Sequence, residues 1–315
     1  MTILYLDRKT LTLEREGRAV VVRDGLQRLA SVPLRLLDRV VIRANLTLDA
    51  ALLHRLTQEG IPVMILGRRP NQVSLLLGAV GPDARRRLCQ YRRYEDDNWR
   101  RHWAAYLVRR KLLMQKRLLI RHRRRRLDLH KPLSDAITRL ERALNELDGK
   151  EPPPLDQLLG IEGAAARSYF QGYARLFPPA LDFQGRNRRP PRDPVNATLS
   201  LGYTLLHGEL VVACYERGLD PYIGFYHELS HGRESLASDL VEPLRPVVDD
   251  WVQALFRSEL LRQHHFHTRG NACLLDKTGR SHFYKFWEMR VRPLRRRIRR
   301  HMDQVVQVIT QGEER

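Results

Sequence analysis

Apolar positions fall into two regimes along the chain. Over the first 80 residues they come in short runs. Thr2–Leu6, Thr10–Glu14 and Ala19–Arg23 alternate or are β-branched, and Leu37–Arg43, Pro62–Leu66 and Gln72–Val80 are apolar runs of strand length. Thr47–Glu59 carries Leu52, Leu53 and Leu56 at helical spacing and stops at Gly60. This pattern predicts a compact β domain with one helix over residues 1–80. Gly81-Pro82-Asp83 reads as a break, and residues 81–92 as a linker.

From there the period becomes helical. Arg85–Arg126 places Leu107, Leu112, Leu113, Leu118 and Ile120 at helical spacing and ends in a run of basic residues. Leu133–Leu147 predicts another helix, and Leu155–Phe177 a helix pair around Gly160 and Gly163. Asp193-Pro194 predicts a helix start, with aspartate as cap and proline in the first turn. That helix runs through Asn196, Leu199, Tyr203, Leu206 and Leu210 toward Gly218. Ser235–Arg262 reads as helical, kinked or split by Pro243 and Pro246, and Lys285–Gln311 as a last helix. The expected fold is α+β in two domains: a small β-sandwich-like N-terminal domain, then an all-helical domain over residues 93–315.

Charge narrows the function. The 315 residues include 56 Lys and Arg against 36 Asp and Glu, a net charge of +20. Such a field favours polyanions, and the preference for arginine suits bidentate phosphate contacts. Cys89, Cys214 and Cys273 lie far apart without a CxxC pair, which argues against a cysteine zinc site and fits a reducing cytoplasm. No uncharged stretch approaches the roughly 20 apolar residues of a membrane span, and no signal peptide is expected.

Two readings compete around Gly224–Arg233. His227-Glu228-Leu229-Ser230-His231 formally matches the HExxH zinc-protease motif, which requires a continuous helix. Gly224 and Gly232 bracket the match, Glu234 stands where a metzincin would have glycine, and Ser238 where it would have a third histidine. The other reading joins His227 to Asp239 and Glu242, which share a helix face, and to Glu162 between Gly160 and Gly163. Carboxylates with one imidazole form a hard ligand set suited to Mg²⁺ or Mn²⁺ and to phosphoryl transfer. Each residue also has an ordinary explanation: Glu162 as a first-turn acid, Asp239 and Glu242 as surface partners of Arg233 and Arg245, and His227 as a loop histidine.

Three ordered motifs resemble the CRISPR-associated nuclease-integrase of spacer acquisition, the CRISPR-associated protein one family. They are Leu159-Gly160-Ile161-Glu162-Gly163 with Ala165–Phe170, Arg189–Ala197 with Ser200–Tyr203, and Gly224–His227 with Gly232-Arg233, Ser235–Ala237, Asp239–Pro243 and Arg245-Pro246. Weaker similarity covers Asp38–Val41, Gly60–Val63 and Lys111–Arg121. The resemblance implies that Glu162, His227 and Glu242 ligate a Mg²⁺ or Mn²⁺ ion, with Asp239 at an acidic position beside it. It leaves His231 incidental.

The resemblance also implies an endonuclease and integrase, in which the 3′-hydroxyl of a captured DNA fragment attacks a phosphate of a CRISPR repeat. The implied partners are double-stranded DNA with 3′-overhangs, repeat DNA, and a small second CRISPR-associated protein. The chain would be a homodimer, joined through its N-terminal domain, with two dimers flanking one partner dimer. Arg186, Arg188, Arg189, Arg192, Arg233 and Arg245, with Arg292 and Arg296 of the basic stretch Arg290–Arg300, are the candidate phosphate contacts. Tyr169 and Tyr203 are candidates for stacking on a splayed base or, the reading preferred, core residues, and His264, His265 and His267 near Cys273 form a polar loop. A transposon-borne integrase, a catalytically silent DNA-binding protein and the zinc protease are the alternatives.

Overall fold

A computed structural model describes residues 2–67, 73–78, 83–149, 151–187 and 190–311. The chain forms two compact units, Met1–Ala84 with Val212–Leu219, and Arg85–Val211 with Asp220–Arg315.

The first unit is β-rich. Its elements are β1 (Thr2–Leu6), β2 (Leu11–Glu16), β3 (Ala19–Asp24), β4 (Gln27–Pro33), β5 (Leu37–Ile42), β6 (Thr47–Leu48), α1 (Ala50–Gln58), β7 (Val63–Leu66) and β8 (Val73–Leu76). They make two four-stranded sheets, ordered β4-β3-β2-β6 and β1-β5-β7-β8. β2, β3 and β4 form an antiparallel meander whose two-residue turns begin at Gly17 and Gly25, both with φ +60°. Glycine takes that conformation without a Cβ penalty. In the other sheet β1 and β7 each pair parallel to β5, and α1 lies in the crossover to β7. β5 is covered on both faces, hence its continuous apolar run Val40-Val41-Ile42, whereas β7 leaves Ile65 exposed within Val63–Leu66. Leu6, Leu13, Val20, Val22, Val40, Ile42, Leu52 and Leu56 from both sheets and α1 make one core.

The second unit is mainly helical: α2 (Ala84–Glu95), α3 (Asp97–Arg125), α4 (His130–Glu146), α5 (Leu155–Ala174), α6 (Pro194–Glu216, whose last turn belongs to the first unit), α7 (Ser235–Val241), α8 (Arg245–Arg257) and α9 (Lys277–Thr310). It is not all-helical, because β9 (Phe266–Arg269) and β10 (Ala272–Leu275) form an antiparallel hairpin. Of the expected linker 81–92, residues 84–92 are helical in α2, and Gly81 and Pro82 lie outside the described residues.

α5 runs unbroken through Gly160 and Gly163, where a helix pair was expected. Each glycine costs about 1 kcal/mol relative to alanine, whereas the face bearing Leu158, Ile161, Ala165, Tyr169 and Tyr173 is buried and holds the helix together. A Cβ on either glycine would meet nothing within 4 Å, so neither serves a close approach. Gly172 does: its Cβ would come within 2.8 Å of Ala136, and the α4–α5 crossing depends on it.

Asp193 caps α6 as its sequence predicts, Oδ1 accepting from Asn196 N at 2.8 Å. α6 is long and apolar enough to cross a membrane by length and composition, but most of it is buried inside the protein, as befits a core helix. The prolines break the following segment. Pro243 lies in a 3₁₀ turn, Glu242–Leu244, and Pro246 opens α8.

Candidate active site

Four elements of the second unit bring charge to one place: α3 with Lys111, α5 with Glu162, the turn before α8 with Glu242, and the loop before α7 with His227. The loop is shaped by Asp239, whose side chain is 0% exposed. Its Oδ2 accepts from the amides of Phe225 (2.6 Å) and Tyr226 (3.0 Å), and its Oδ1 from the amide of His227 (2.9 Å). Three successive backbone N–H groups thus converge on one carboxylate. Gly224 lets the loop reach α7, since a Cβ there would sit 2.5 Å from the Ser235 carbonyl carbon.

Asp239 Oδ1 also lies 2.7 Å from His227 Nδ1. A carboxylate only accepts, so Nδ1 carries the proton and Nε2 keeps its lone pair. This is the arrangement by which a carboxylate orients a metal-binding imidazole. Both oxygens of Asp239 are therefore committed to protein donors. The resemblance implies Asp239 beside the cation; in the structure its side chain bonds the loop amides and His227 Nδ1.

Glu162 and Glu242 share the Lys111 ammonium, which contacts a carboxylate oxygen of each. Lys111 is 5% exposed. Burial lowers its pKa, but Glu242 and Glu162 together outweigh burial and raise it. Burial would push Glu242 up, but Arg245 and Lys111 hold it well below the usual carboxylate range. Arg245 Nε donates to Glu242 Oε1 at 2.9 Å, and Tyr226 Oη donates to Glu162 Oε2 at 3.3 Å.

This donor set fits a hard divalent cation. Two carboxylates already converge on one positive centre, and an oriented imidazole stands close by. The ammonium is the species the carboxylates share here, and among the described residues no trio of His, Cys, Asp or Glu already stands at metal-ligand spacing.

A second buried layer supports Arg245. Its guanidinium lies 4.5 Å from the Tyr203 ring centroid. Tyr203 Oη donates to Asp249 Oδ1, Tyr169 Oη to Asp249 Oδ2 at 2.7 Å, and Tyr173 Oη to the Asp249 carbonyl at 2.7 Å. Burial pushes Asp249 up to about 6, against the lowering effect of the tyrosine hydrogen bonds. Tyr169 and Tyr203 are core residues as expected, with this polar hub unforeseen. Burial also lowers His207 to about 4.

Other expectations fare unevenly. His227–His231 is a loop with Glu228 and His231 exposed, so the helical geometry of an HExxH protease is absent. Arg186 and Arg245 turn inward: Arg186 donates to Asn196 Oδ1 (2.7 Å) and Ser200 Oγ (3.0 Å), and Arg245 to Glu242. Neither is a free phosphate ligand. Arg192, Arg233 and Arg296 are exposed; Arg292 is exposed and pairs with Glu288 at 3.0 Å. Arg188 and Arg189 lie outside the described residues. His264 and His265 occupy a 3₁₀ turn and His267 lies on β9, with His265 Nδ1 accepting from Arg262 N at 3.1 Å. Lys111 was not among the expected site residues, although a lysine amid the apolar Leu107–Val108–Leu112 positions of an arginine-rich helix marks it.

Comparison with known proteins agrees with this geometry. The sequence matches the family described as CRISPR associated protein Cas1 over residues 4–289. A CRISPR-associated endonuclease Cas1 of Thermodesulfovibrio yellowstonii is 37% identical over 297 residues, covering 94% of this chain and 93% of the relative. A casposase bound to its integration product has the same fold, with TM-score 0.82 at 23% identity, covering 100% of this chain and 92% of the casposase. So does a chain of a Cas6-RT-Cas1–Cas2 complex, with TM-score 0.81 at 22% identity, covering 98% of this chain and 35% of that longer one.

Proposed function

Because the chain belongs to the Cas1 family of CRISPR-associated proteins, we propose that the Glu162–His227–Glu242 cluster is the metal-dependent centre of its endonuclease and integrase activity in spacer acquisition. The observation that carries the assignment is the convergence of a buried and a partly buried carboxylate on one cation beside an imidazole whose Nδ1 is tied to a buried carboxylate.

Glu162, Glu242 and His227 Nε2 would hold Mg²⁺ or Mn²⁺. When bound, such an ion binds and polarises the scissile phosphate and favours the attacking oxygen. The rest of the work falls to the chain. Asp239 fixes the tautomer and direction of His227. Arg245, stacked on Tyr203, keeps Glu242 ionised and pointed at the site. Lys111 remains a buried cation beside the transferring phosphate, where positive charge stabilises the transition state. The same site serves hydrolysis or strand transfer, depending on whether water or a DNA 3′-hydroxyl attacks.

The substrates are short duplexes with 3′-overhangs and CRISPR repeat DNA, contacted through Arg192, Arg233 and Arg296. The β-rich unit would join two copies, and two such dimers would flank a dimer of a Cas2-like partner in a prokaryotic cytoplasm. The presence of Cas2 in a complex with a chain of the same fold supports that partnership. The casposase likeness favours one second reading, a transposon-borne integrase with the same chemistry.

The test incubates purified protein with a short 3′-overhang duplex and supercoiled plasmid carrying CRISPR repeats, with Mn²⁺, Mg²⁺ or EDTA. Metal-dependent joining lost in Glu162→Ala and Glu242→Ala is expected. Joining that persists in both variants, or in EDTA, rejects the assignment.

A further inference from the structure

Each side chain assigned to the metal centre has one of its two ligating atoms already taken by a protein group. Tyr226 Oη donates to Glu162 Oε2 at 3.3 Å, and Arg245 Nε donates to Glu242 Oε1 at 2.9 Å. His227 Nδ1 donates to Asp239 Oδ1 at 2.7 Å. The atoms left over are Glu162 Oε1, Glu242 Oε2 and His227 Nε2. The Lys111 ammonium contacts the two oxygens among them. The shared cation thus meets one oxygen of each glutamate, while the other oxygen of each is tied back into the protein.

The two glutamate ties differ in kind. Arg245 brings a charge as well as a hydrogen bond, so it acts on Glu242 in two ways at once. Tyr226 brings only a hydroxyl. It is 4% exposed, and its ring lies against that of His227, centroids 5.1 Å apart. A phenol has a single O–H to donate, and Glu162 Oε2 accepts it. Turning Oε2 onto a cation would strip the hydroxyl of its acceptor where water has little access, which is costly.

We infer that Tyr226 sets the cation specificity of the centre by holding Glu162 to one metal-binding oxygen. The inference rests on the metal-centre reading above and adds to it the residue that selects the ion. Mg²⁺ and Mn²⁺ suit single oxygens in a near-octahedral shell that keeps places for water and phosphate. Ca²⁺ is larger, takes about 6–8 oxygens and uses carboxylates through both of theirs. A centre that offers one atom per side chain therefore serves the smaller ions and under-coordinates Ca²⁺. It also leaves the remaining places of an octahedral shell to the scissile phosphate and the attacking oxygen. A two-oxygen Glu162 would occupy one of those places. Tyr226 is thus a positioning residue that acts through Glu162.

The experiment titrates Mn²⁺ and Ca²⁺ separately into the metal-free full-length protein by calorimetry. It compares wild type with Tyr226→Phe, Tyr222→Phe and Glu162→Ala. Tyr226→Phe removes the hydroxyl and keeps the ring against His227. It should gain about tenfold in Ca²⁺ affinity while Mn²⁺ affinity stays within about threefold of wild type. Tyr222→Phe, exposed in the same loop, should behave as wild type. Infrared difference spectra report the binding mode. Ca²⁺ should produce a two-oxygen carboxylate signature, a narrowed gap between the antisymmetric and symmetric stretches, in Tyr226→Phe and not in wild type. An unchanged ratio of the two affinities, equal changes for both ions, or the two-oxygen signature already in wild type overturns the role of Tyr226. Failure of the wild-type protein to bind Mn²⁺, or Mn²⁺ binding that survives Glu162→Ala unchanged, would overturn the metal-centre reading itself.

Discussion

Replacing Asp239 with asparagine changes one atom in the most constrained carboxylate of the site. Asp239 accepts four hydrogen bonds, three from the amides of residues 225–227 and one from His227 Nδ1. The amide oxygen of asparagine can replace Oδ2 and keep the bonds from Phe225 and Tyr226, each weakened from charge-assisted to neutral. Its NH₂ must then replace Oδ1, facing the His227 N–H and Nδ1. The bond from His227 N is lost, at about 1.5–3 kcal/mol for a charge-assisted hydrogen bond. The bond to Nδ1 survives only if the imidazole changes tautomer, which puts the proton on Nε2 and removes the lone pair a metal needs.

The expected outcome is a fold weaker by roughly 2–4 kcal/mol and metal affinity reduced by about 10–100-fold. Chemical denaturation gives the first quantity and Mn²⁺ titration calorimetry the second. ¹⁵N NMR of the histidine ring reports the tautomer. Asp239→Asn with wild-type Mn²⁺ affinity and Nδ1 still protonated would refute the reasoning.

Further outcomes follow from the same geometry. Lys111→Met leaves Glu162 and Glu242 without their shared ammonium and should cost roughly 3–5 kcal/mol; because Mn²⁺ can take over that role, thermal denaturation should show a larger Mn²⁺-induced gain in Tm than in wild type, and an equal gain would count against it. His227→Ala should lose strand transfer by at least about 100-fold, while His231→Ala, exposed on the loop, should stay near wild type; equal loss in a plasmid-joining assay would contradict the ligand assignment. Asp249 is held up to about 6, above its ordinary 3.8, so its protonated form favours the fold. Its contribution is complete below pH 4 and is lost as pH rises through 6, a difference of roughly 3 kcal/mol. The Tm advantage of Asp249→Asn over wild type should therefore grow from pH 4 to 6 and level off above; a difference independent of pH would be the contrary result.

Much of this was legible because local chemistry and tertiary packing agree. Asp193-Pro194 announces α6, and the cap bond to Asn196 is present. Pro243 and Pro246 announce the break that sets Glu242 at the head of α8. Where packing decided alone, the sequence misled or was silent. Gly160 and Gly163 read as a break, but the buried face of α5 carries the helix through them. β4 shows little alternation because it buries almost nothing, and the β9–β10 hairpin begins with the mostly exposed Phe266-His267-Thr268-Arg269. Glu162, His227 and Glu242 could be collected from the family resemblance. The placing of Lys111 between two of them, and the hub at Asp249, depend on which helices meet, and no spacing along one chain encodes that.

The most direct test is to crystallise the protein with Mn²⁺ and locate the ion by its anomalous scattering. The expected result is one manganese bonded to Glu162, His227 Nε2 and Glu242, with Asp239 still bonded to His227 Nδ1 and the Lys111 ammonium displaced from between the glutamates. Manganese bonded to Asp239, or bound at His264 and His265 with the glutamates still sharing Lys111, would contradict the assignment of this centre.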